Sequence, residues 1–220
     1  MKRWWAGGWG IMALTLAHGQ MTAFEVLDGG VPAGTAWLSQ SLQSDGSKQV
    51  VLVLRSGTEP NVVVLRMESV YAADGLPIRQ LHRVETKDGG KLRQWRTGFG
   101  PKGAEWVVDD AAPAVRPWPA AINRQAKAEF WFIRDRPRIG TMVTQDYFDV
   151  QQGEFQRMTT TYEGPARITV QGKPVSGHRL RTRRAGRVGE AVVDDQGIPW
   201  TLTEGRLRLV RKPAVVDGTP

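Results

Sequence analysis

The sequence predicts an all-β protein: an antiparallel meander forming a curled sheet or half-barrel, with at most one or two short helices. Three observations carry this. Gly 25 and Pro 13 in 220 residues punctuate the chain too often for a helical bundle, while 40% hydrophobic residues suffice for a sizeable core. Apolar β-branched runs such as 49–54 and 62–67 have the length, about 4–8 residues, at which a continuous run favours a strand. Turn signals then recur at the roughly 8–12-residue spacing of an all-β domain.

Asp28-Gly29-Gly30 and Ser44-Asp45-Gly46-Ser47 bound a first strand over 36–42. The runs 49–54 and 62–67 flank a turn over 56–61. A short strand at 69–71 leads through Asp74-Gly75-Leu76-Pro77 into 78–85, and Asp88-Gly89-Gly90 turns the chain into 91–97. Gly98, Gly100 and Gly103 around Pro101 make a turn before 104–108. Three prolines make 109–119 an extended connection, and 120–127 is the one segment after the N-terminal region with helix propensity. Phe130, Trp131, Phe132 and Ile133 mark a buried strand over 129–134. Further strands follow at 154–162, 166–170, 177–184, 189–193, 198–203 and 206–211, separated by Gly- and Asp-containing turns. The expected core is Leu52, Leu54, Val63, Leu65, Trp131, Ile133, Leu180 and Leu209. Asp74-Gly75-Leu76-Pro77 and Asp195-Gln196-Gly197-Ile198-Pro199 repeat one turn chemistry between strand pairs, either as equivalent hairpins in two meander halves or because turns need those residues.

Three regions are expected: a signal peptide over 1–19, a single β domain over 20–212 and a loose tail over 213–220. Lys2 and Arg3 precede an uncharged run from Trp4 to Ala17, and Ala17-His18-Gly19 supplies small residues for cleavage between Gly19 and Gln20. The run of about 14 residues falls short of the ~20 of a membrane span. An uncleaved N-terminal anchor is the alternative. Either way the location is periplasmic or secreted. With no Cys, lipoprotein processing, disulfides, Cys-ligated zinc, iron–sulfur clusters and thiol nucleophiles are excluded.

No nucleophile elbow, zinc-protease, P-loop or EF-hand motif is present. His82 and His178 are the histidines outside the export segment, and both read as polar strand residues at a sheet face. Asp109-Asp110 and Asp194-Asp195 read as turn residues, while Asp146 and Asp149 alternate if their segment is a strand. No catalytic set, metal site or cofactor is therefore expected. Arg179, Arg181 and Arg183 have period two, as do Arg206 and Arg208, so each set shares one strand face. If the two strands are neighbours, the five form one basic face able to meet an anionic head group. The alternative is a solvated outer face offset by Glu190 and Glu204. Trp37, Trp95 and Trp131 are candidates to line a ligand groove, with core packing as the alternative. The net charge of +8 comes without the aromatic–basic interleaving of a nucleic-acid module, so no nucleic acid is expected.

Tyr162-Glu163-Gly164, the run 168–173, Gly177-His178-Arg179-Leu180 and Asp195-Gln196-Gly197-Ile198-Pro199 occur in succession. This pattern resembles uncharacterised secreted bacterial proteins built on a curled antiparallel sheet, distantly similar to the periplasmic lipoprotein carriers. It spans roughly residues 129–211. The resemblance implies export, a half-barrel and a groove for an apolar ligand, and carries over no functional residue. The expected function is a non-enzymatic binding module for a lipid-like ligand or an envelope protein partner. The alternative is an extracytoplasmic hydrolase whose acid and base are assembled by the fold.

Overall fold

Alternating burial turns the apolar runs into strands: Val50 and Leu52 are buried while Val51 and Val53 face the other way. The structure, a computed structural model, describes residues 21–57, 60–73, 76–87, 89–120 and 137–213. It contains fourteen strands: β1 Met21–Asp28, β2 Val31–Leu42, β3 Lys48–Ser56, β4 Val63–Tyr71, β5 Pro77–Thr86, β6 Lys91–Gly100, β7 Gly103–Val108, β8 Ala114–Pro117, β9 Met142–Asp149, β10 Glu154–Val170, β11 Lys173–Arg184, β12 Arg187–Val193, β13 Pro199–Glu204 and β14 Leu207–Arg211. No helix occurs among the described residues.

All fourteen belong to one antiparallel sheet in the order β8-β7-β6-β5-β4-β3-β2-β1-β14-β13-β12-β11-β10-β9. The described strands begin in the middle with β1, run to the β8 edge, resume at the β9 edge and return to β14, which pairs with β1. The all-β, curled meander predicted by the sequence is the observed fold.

The two edges do not pair, yet they meet. Trp106 Nε1 donates to the Val150 carbonyl at 2.7 Å and Arg116 Nε to the Gly153 carbonyl at 2.8 Å. Phe99 packs edge-on to Phe148 with centroids 5.9 Å apart, and Trp118 lies 5.0 Å from Phe155. Strand alternation shows how. Trp95, Phe99 and Trp106 share the inward face with Leu38, Leu52 and Met67. Phe148 and Phe155 lie on the same face as Asp146 and Arg157, and through Thr159 as Arg183, which is the outward face. The outer side of the β9–β10 hairpin end is therefore tucked against the inner side of β6–β8. The sheet is a scroll whose ends overlap, sealed by a cluster of Trp95, Ala104, Phe148 and Val150 with Phe99, Trp106, Val108 and Phe155 around it.

The main core fills the scroll's centre with Phe24, Val26, Leu38, Val50, Leu52, Leu65, Met67, Leu207 and Leu209, and Leu180 anchors a second cluster with Tyr162, Ala191 and Val193. Of the expected core, Leu52, Leu65, Leu180 and Leu209 are buried and Leu54 is half-buried against them. Val63 is only half-buried: it begins β4 opposite Ser56 and Thr86, and Val62 is the buried residue there. Trp131 and Ile133 lie outside the described residues, as do the strand at 129–134, residues 121–127 of the expected helix, the export segment 1–19 and residues 214–220 of the tail.

Several boundaries need correction. The strand expected first, 36–42, is the second half of β2, and β1 precedes it. The runs 62–67 and 69–71 fall on one strand, β4. The runs 154–162 and 166–170 are one 17-residue strand, because Gly164 and Pro165 follow a bulge that the ladder absorbs. The connection 109–119 contains the edge strand β8, and β9 lacks the apolar run that would announce it. The residues flanking the two Asp-Gly segments bond alike, Ala72 N to Leu76 O at 2.8 Å and Asp194 N to Ile198 O at 3.0 Å. The β2–β3 loop does the same, Gln43 N to Ser47 O at 2.7 Å. The repeat is turn chemistry rather than a mark of two halves.

The overlap gives a direct test. Gly153 has φ +70°, and a Cβ there would lie 2.7 Å from the Trp106 ring. Gly153→Ala should cost about 2–4 kcal/mol from backbone strain plus displacement of the indole. Trp106→Phe, which keeps most of the packing but loses the bond to Val150, should cost about 1 kcal/mol. Urea unfolding of both variants checks the order.

Candidate functional site

Ladder register lines up polar side chains on the concave face. Gln40 lies opposite Val50, then Ser69, Gln80 and Thr97 across β2 to β6, and the adjacent row runs Leu38, Leu52, Met67, His82 and Trp95. Gln40 and Thr97 are each 2% exposed, Ser69 3% and His82 4%. Among the described residues, five buried side-chain atoms here have no hydrogen-bond partner: Gln40 Nε2 and Oε1, Gln80 Oε1, His82 Nδ1 and Thr97 Oγ1. An unpaired buried polar atom costs about 1–3 kcal/mol, so a cluster of them against apolar neighbours opposes stability unless something else satisfies it. Burial lowers the His82 pKa to about 4, so the imidazole is neutral at physiological pH. The row therefore offers donors and acceptors without charge.

Across the scroll, Arg184 and Glu204 form a buried ion pair, Nη2 to Oε2 at 2.5 Å and Nε to Oε1 at 3.3 Å. The Arg184 guanidinium lies 5.9 Å from the Tyr147 ring centre, and its Nη1 is a further buried atom without a partner. The charges cancel, leaving one free donor. The row from Gln40 to Thr97 thus presents neutral hydrogen-bonding chemistry in an apolar setting, suited to uncharged polar groups.

One acid–base line is assembled by the fold. Tyr162 Oη lies 3.1 Å from His178 Nδ1, and His178 Nε2 lies 3.1 Å from Asp195 Oδ1. Burial pushes the Tyr162 pKa up, which opposes phenolate formation at neutral pH. Asp195 is exposed. Among the described residues no group of three or more His, Cys, Asp and Glu side chains gathers as a metal site.

The sequence-predicted residues fall differently. Arg179, Arg181, Arg183 and Arg208 are exposed on the convex face, away from the interior, whereas Arg206 is exposed in the turn between β13 and β14 and does not share a strand face with Arg208. The premise that their strands are neighbours is corrected: β12 and β13 lie between β11 and β14. Arg181 pairs with Glu163 at 3.0 Å and Glu190 at 3.3 Å, and Arg206 with Asp28 at 3.1 Å. Glu190 offsets that face as expected, whereas Glu204 points inward to Arg184. Trp95 lines the interior, Trp37 sits half-buried on the convex face opposite Ala23 and Val53, and Trp131 lies outside the described residues. His82 is a buried interior group rather than a surface one. Asp194 is a turn residue, its Oδ1 accepting from Gln196 N and Ile198 N, while Asp109 accepts from Gln94 N on a neighbouring strand. Gln40, Gln80 and Thr97 were missed. Their signal is parity: Gln40 continues the inward series Ala36, Leu38 with a polar residue.

No family model matches the chain, and no curated protein matches it. Among solved structures, it is similar to the crystal structure of a beta-barrel-like protein of domain of unknown function DUF1849 from Brucella abortus. That likeness has a TM-score of 0.64 at 9% identity and covers 91% of this chain and 98% of that one. A DUF1089 family protein from Pseudomonas aeruginosa is similar at a TM-score of 0.38 and 17% identity, covering 74% of this chain and 86% of that one, too loosely to bear on the argument. The first likeness shows the fold: that of a bacterial beta-barrel-like protein of unknown function. It lends nothing to a likeness with lipoprotein carriers.

The orphaned atoms make the row testable without a ligand. Gln40→Met keeps length and volume while removing two unpaired groups, and should raise the stability of the empty protein by about 1 kcal/mol. His82 has a lowered folded-state pKa. Its neutral form is at no disadvantage above the unfolded value of 6.5, and stability is lost as pH falls from there through about 4. The loss approaches about 3 kcal/mol. His82→Leu should flatten the melting-temperature profile over that window relative to the parent.

Proposed function

We propose that this chain is an exported binding module, not an enzyme, whose concave face holds the uncharged polar part of a lipid-like molecule. The observation that carries the reading is the cluster of partnerless buried atoms on Gln40, Gln80, His82 and Thr97. Such atoms destabilise the empty protein, and a ligand carbonyl, ester, amide or hydroxyl would satisfy them. Neutral His82 and the closed Arg184–Glu204 pair favour an uncharged head over a carboxylate or phosphate. The charge–apolar–small layout of residues 1–19 supports export. A hydrolase would have to use the Tyr162–His178–Asp195 line, and the raised Tyr162 pKa makes this the weaker reading. Ester turnover abolished by His178→Ala would favour it.

Displacement of a fluorescent acylglycerol by unlabelled monoacylglycerol and by the matching fatty acid tests the binding reading. Monoacylglycerol should compete better than the acid at neutral pH, and Gln40→Met should weaken it about tenfold, the equivalent of one lost hydrogen bond. Equal competition by the acid, or unchanged affinity in the Met variant, would count against this site.

A further inference from the structure

We propose that the free edge of β10 beyond Tyr162 is a docking groove for an extended, acidic peptide segment of a partner protein, which adds to the sheet as a further strand. Strand β9 pairs with β10 only over Glu154–Thr161, whereas β11 accompanies β10 to Val170. Among the described residues, the stretch 163–170 thus has a ladder on one side only. The turn before β9 bonds the β10 main chain at Tyr162, with no main-chain bond from the described residues to 163–170 on this side: Gly140 N donates to the Tyr162 carbonyl at 2.8 Å, Tyr162 N to the Thr141 carbonyl at 2.9 Å, and Thr141 Oγ1 to the Arg138 carbonyl at 2.7 Å. The result is an open cleft of 610 Å³ lined by Ile139, Glu163, Pro165, Ala166, Arg167 and Arg179.

Ladder alternation fixes what this edge presents. Tyr162 turns its main chain toward the 138–141 turn, so Thr161 faces Arg181. After the bulge Gly164 faces Arg179, which leaves the main chain of Pro165, Arg167 and Thr169 pointing outward. Pro165 fits a long strand because its missing donor falls on this open side. Arg167 and Thr169 keep outward N–H groups for an added strand.

Charge selects the occupant. Glu163, the acid of the cleft, is engaged by Arg181. Arg167 and Arg179 have no ion-pair partner among the described residues and are exposed. Two free guanidiniums beside main-chain donors suit an Asp, Glu or terminal carboxylate on an extended segment. Ile139, 70% exposed, gives its side chains an apolar rest.

Random decapeptides displayed on phage are selected against the full chain and counter-selected against the Arg167→Glu/Arg179→Glu double variant. Enriched peptides should carry Asp or Glu, bind the parent about tenfold tighter than the double variant by fluorescence anisotropy, and slow amide exchange over 163–170. Thr169→Pro removes an outward donor while leaving the charges and should also weaken them. Unchanged melting temperatures in both variants keep the comparison clean. Enrichment of no peptide, peptides indifferent to both variants, or protection at another edge would overturn the proposal. So would displacement by inorganic phosphate with no effect of Thr169→Pro, which would leave a simple anion site.

Discussion

Among the described residues, a sheet of fourteen strands whose edge strands β8 and β9 do not pair has no ladder between its ends to hold a curl; β-structure removes its edges only by full closure. Here curvature depends on the overlap of the β9–β10 hairpin end with β6–β8. Two side-chain-to-backbone bonds, from Trp106 and Arg116, replace a ladder, and the aromatic cluster of Phe99, Trp118, Phe148 and Phe155 excludes water around them. Such a closure reaches the Val150 and Gly153 carbonyls because Asp149 caps the turn, its Oδ1 accepting from Gln151 N and Gln152 N. This contact is where the two ends of the described sheet are tied together.

A narrow barrel is filled by its own side chains, and its core can be wholly apolar. In the scroll the inward positions near the β2–β3 and β4–β5 turns carry Gln40, Ser69, Gln80 and Thr97, residues that add donors and acceptors where packing would favour aliphatics. The Arg184–Glu204 pair shows that the same fold can satisfy buried polarity internally when it is structural. The contrast between a closed pair on one side and partnerless atoms on the other is the physical argument for a ligand-facing surface on the β2–β6 side.

The fold class was legible because local chemistry and global topology agree: Asp-Gly turns every few residues and β-branched runs leave few alternatives to a meander. What failed was continuity. Gly164-Pro165 looks like a strand end because proline removes a donor, and only the one-sided ladder of β10 makes it harmless. Strand β9 was invisible because its inward residues, Val143, Gln145 and Tyr147, are mostly polar. The interior site was half legible. Trp95 and His82 could be flagged as residue types, but which face is concave follows from the overlap of strands far apart in sequence. Period two holds as a strand face for Arg179, Arg181 and Arg183, but Arg206 falls in a turn, and strand adjacency is a topological fact that period two cannot supply.

The two faces of the sheet consequently do different chemistry. Inward, His82 is neutral and Arg184 is paired with Glu204, so neither adds net charge to the interior. Outward, Arg179, Arg181 and Arg183 on β11 stand in solvent, where isolated pairs such as Arg181–Glu190 contribute little to stability. Because a strand alternates strictly, the one element β11 supplies both, with Leu180 and Arg184 inside and the arginines outside. A ligand held within and a partner met at the β10 edge would then be separated by the thickness of one sheet. Binding at either would bear on the same hairpin, since β10 carries Tyr162 at the interior rim and Arg167 at the open edge.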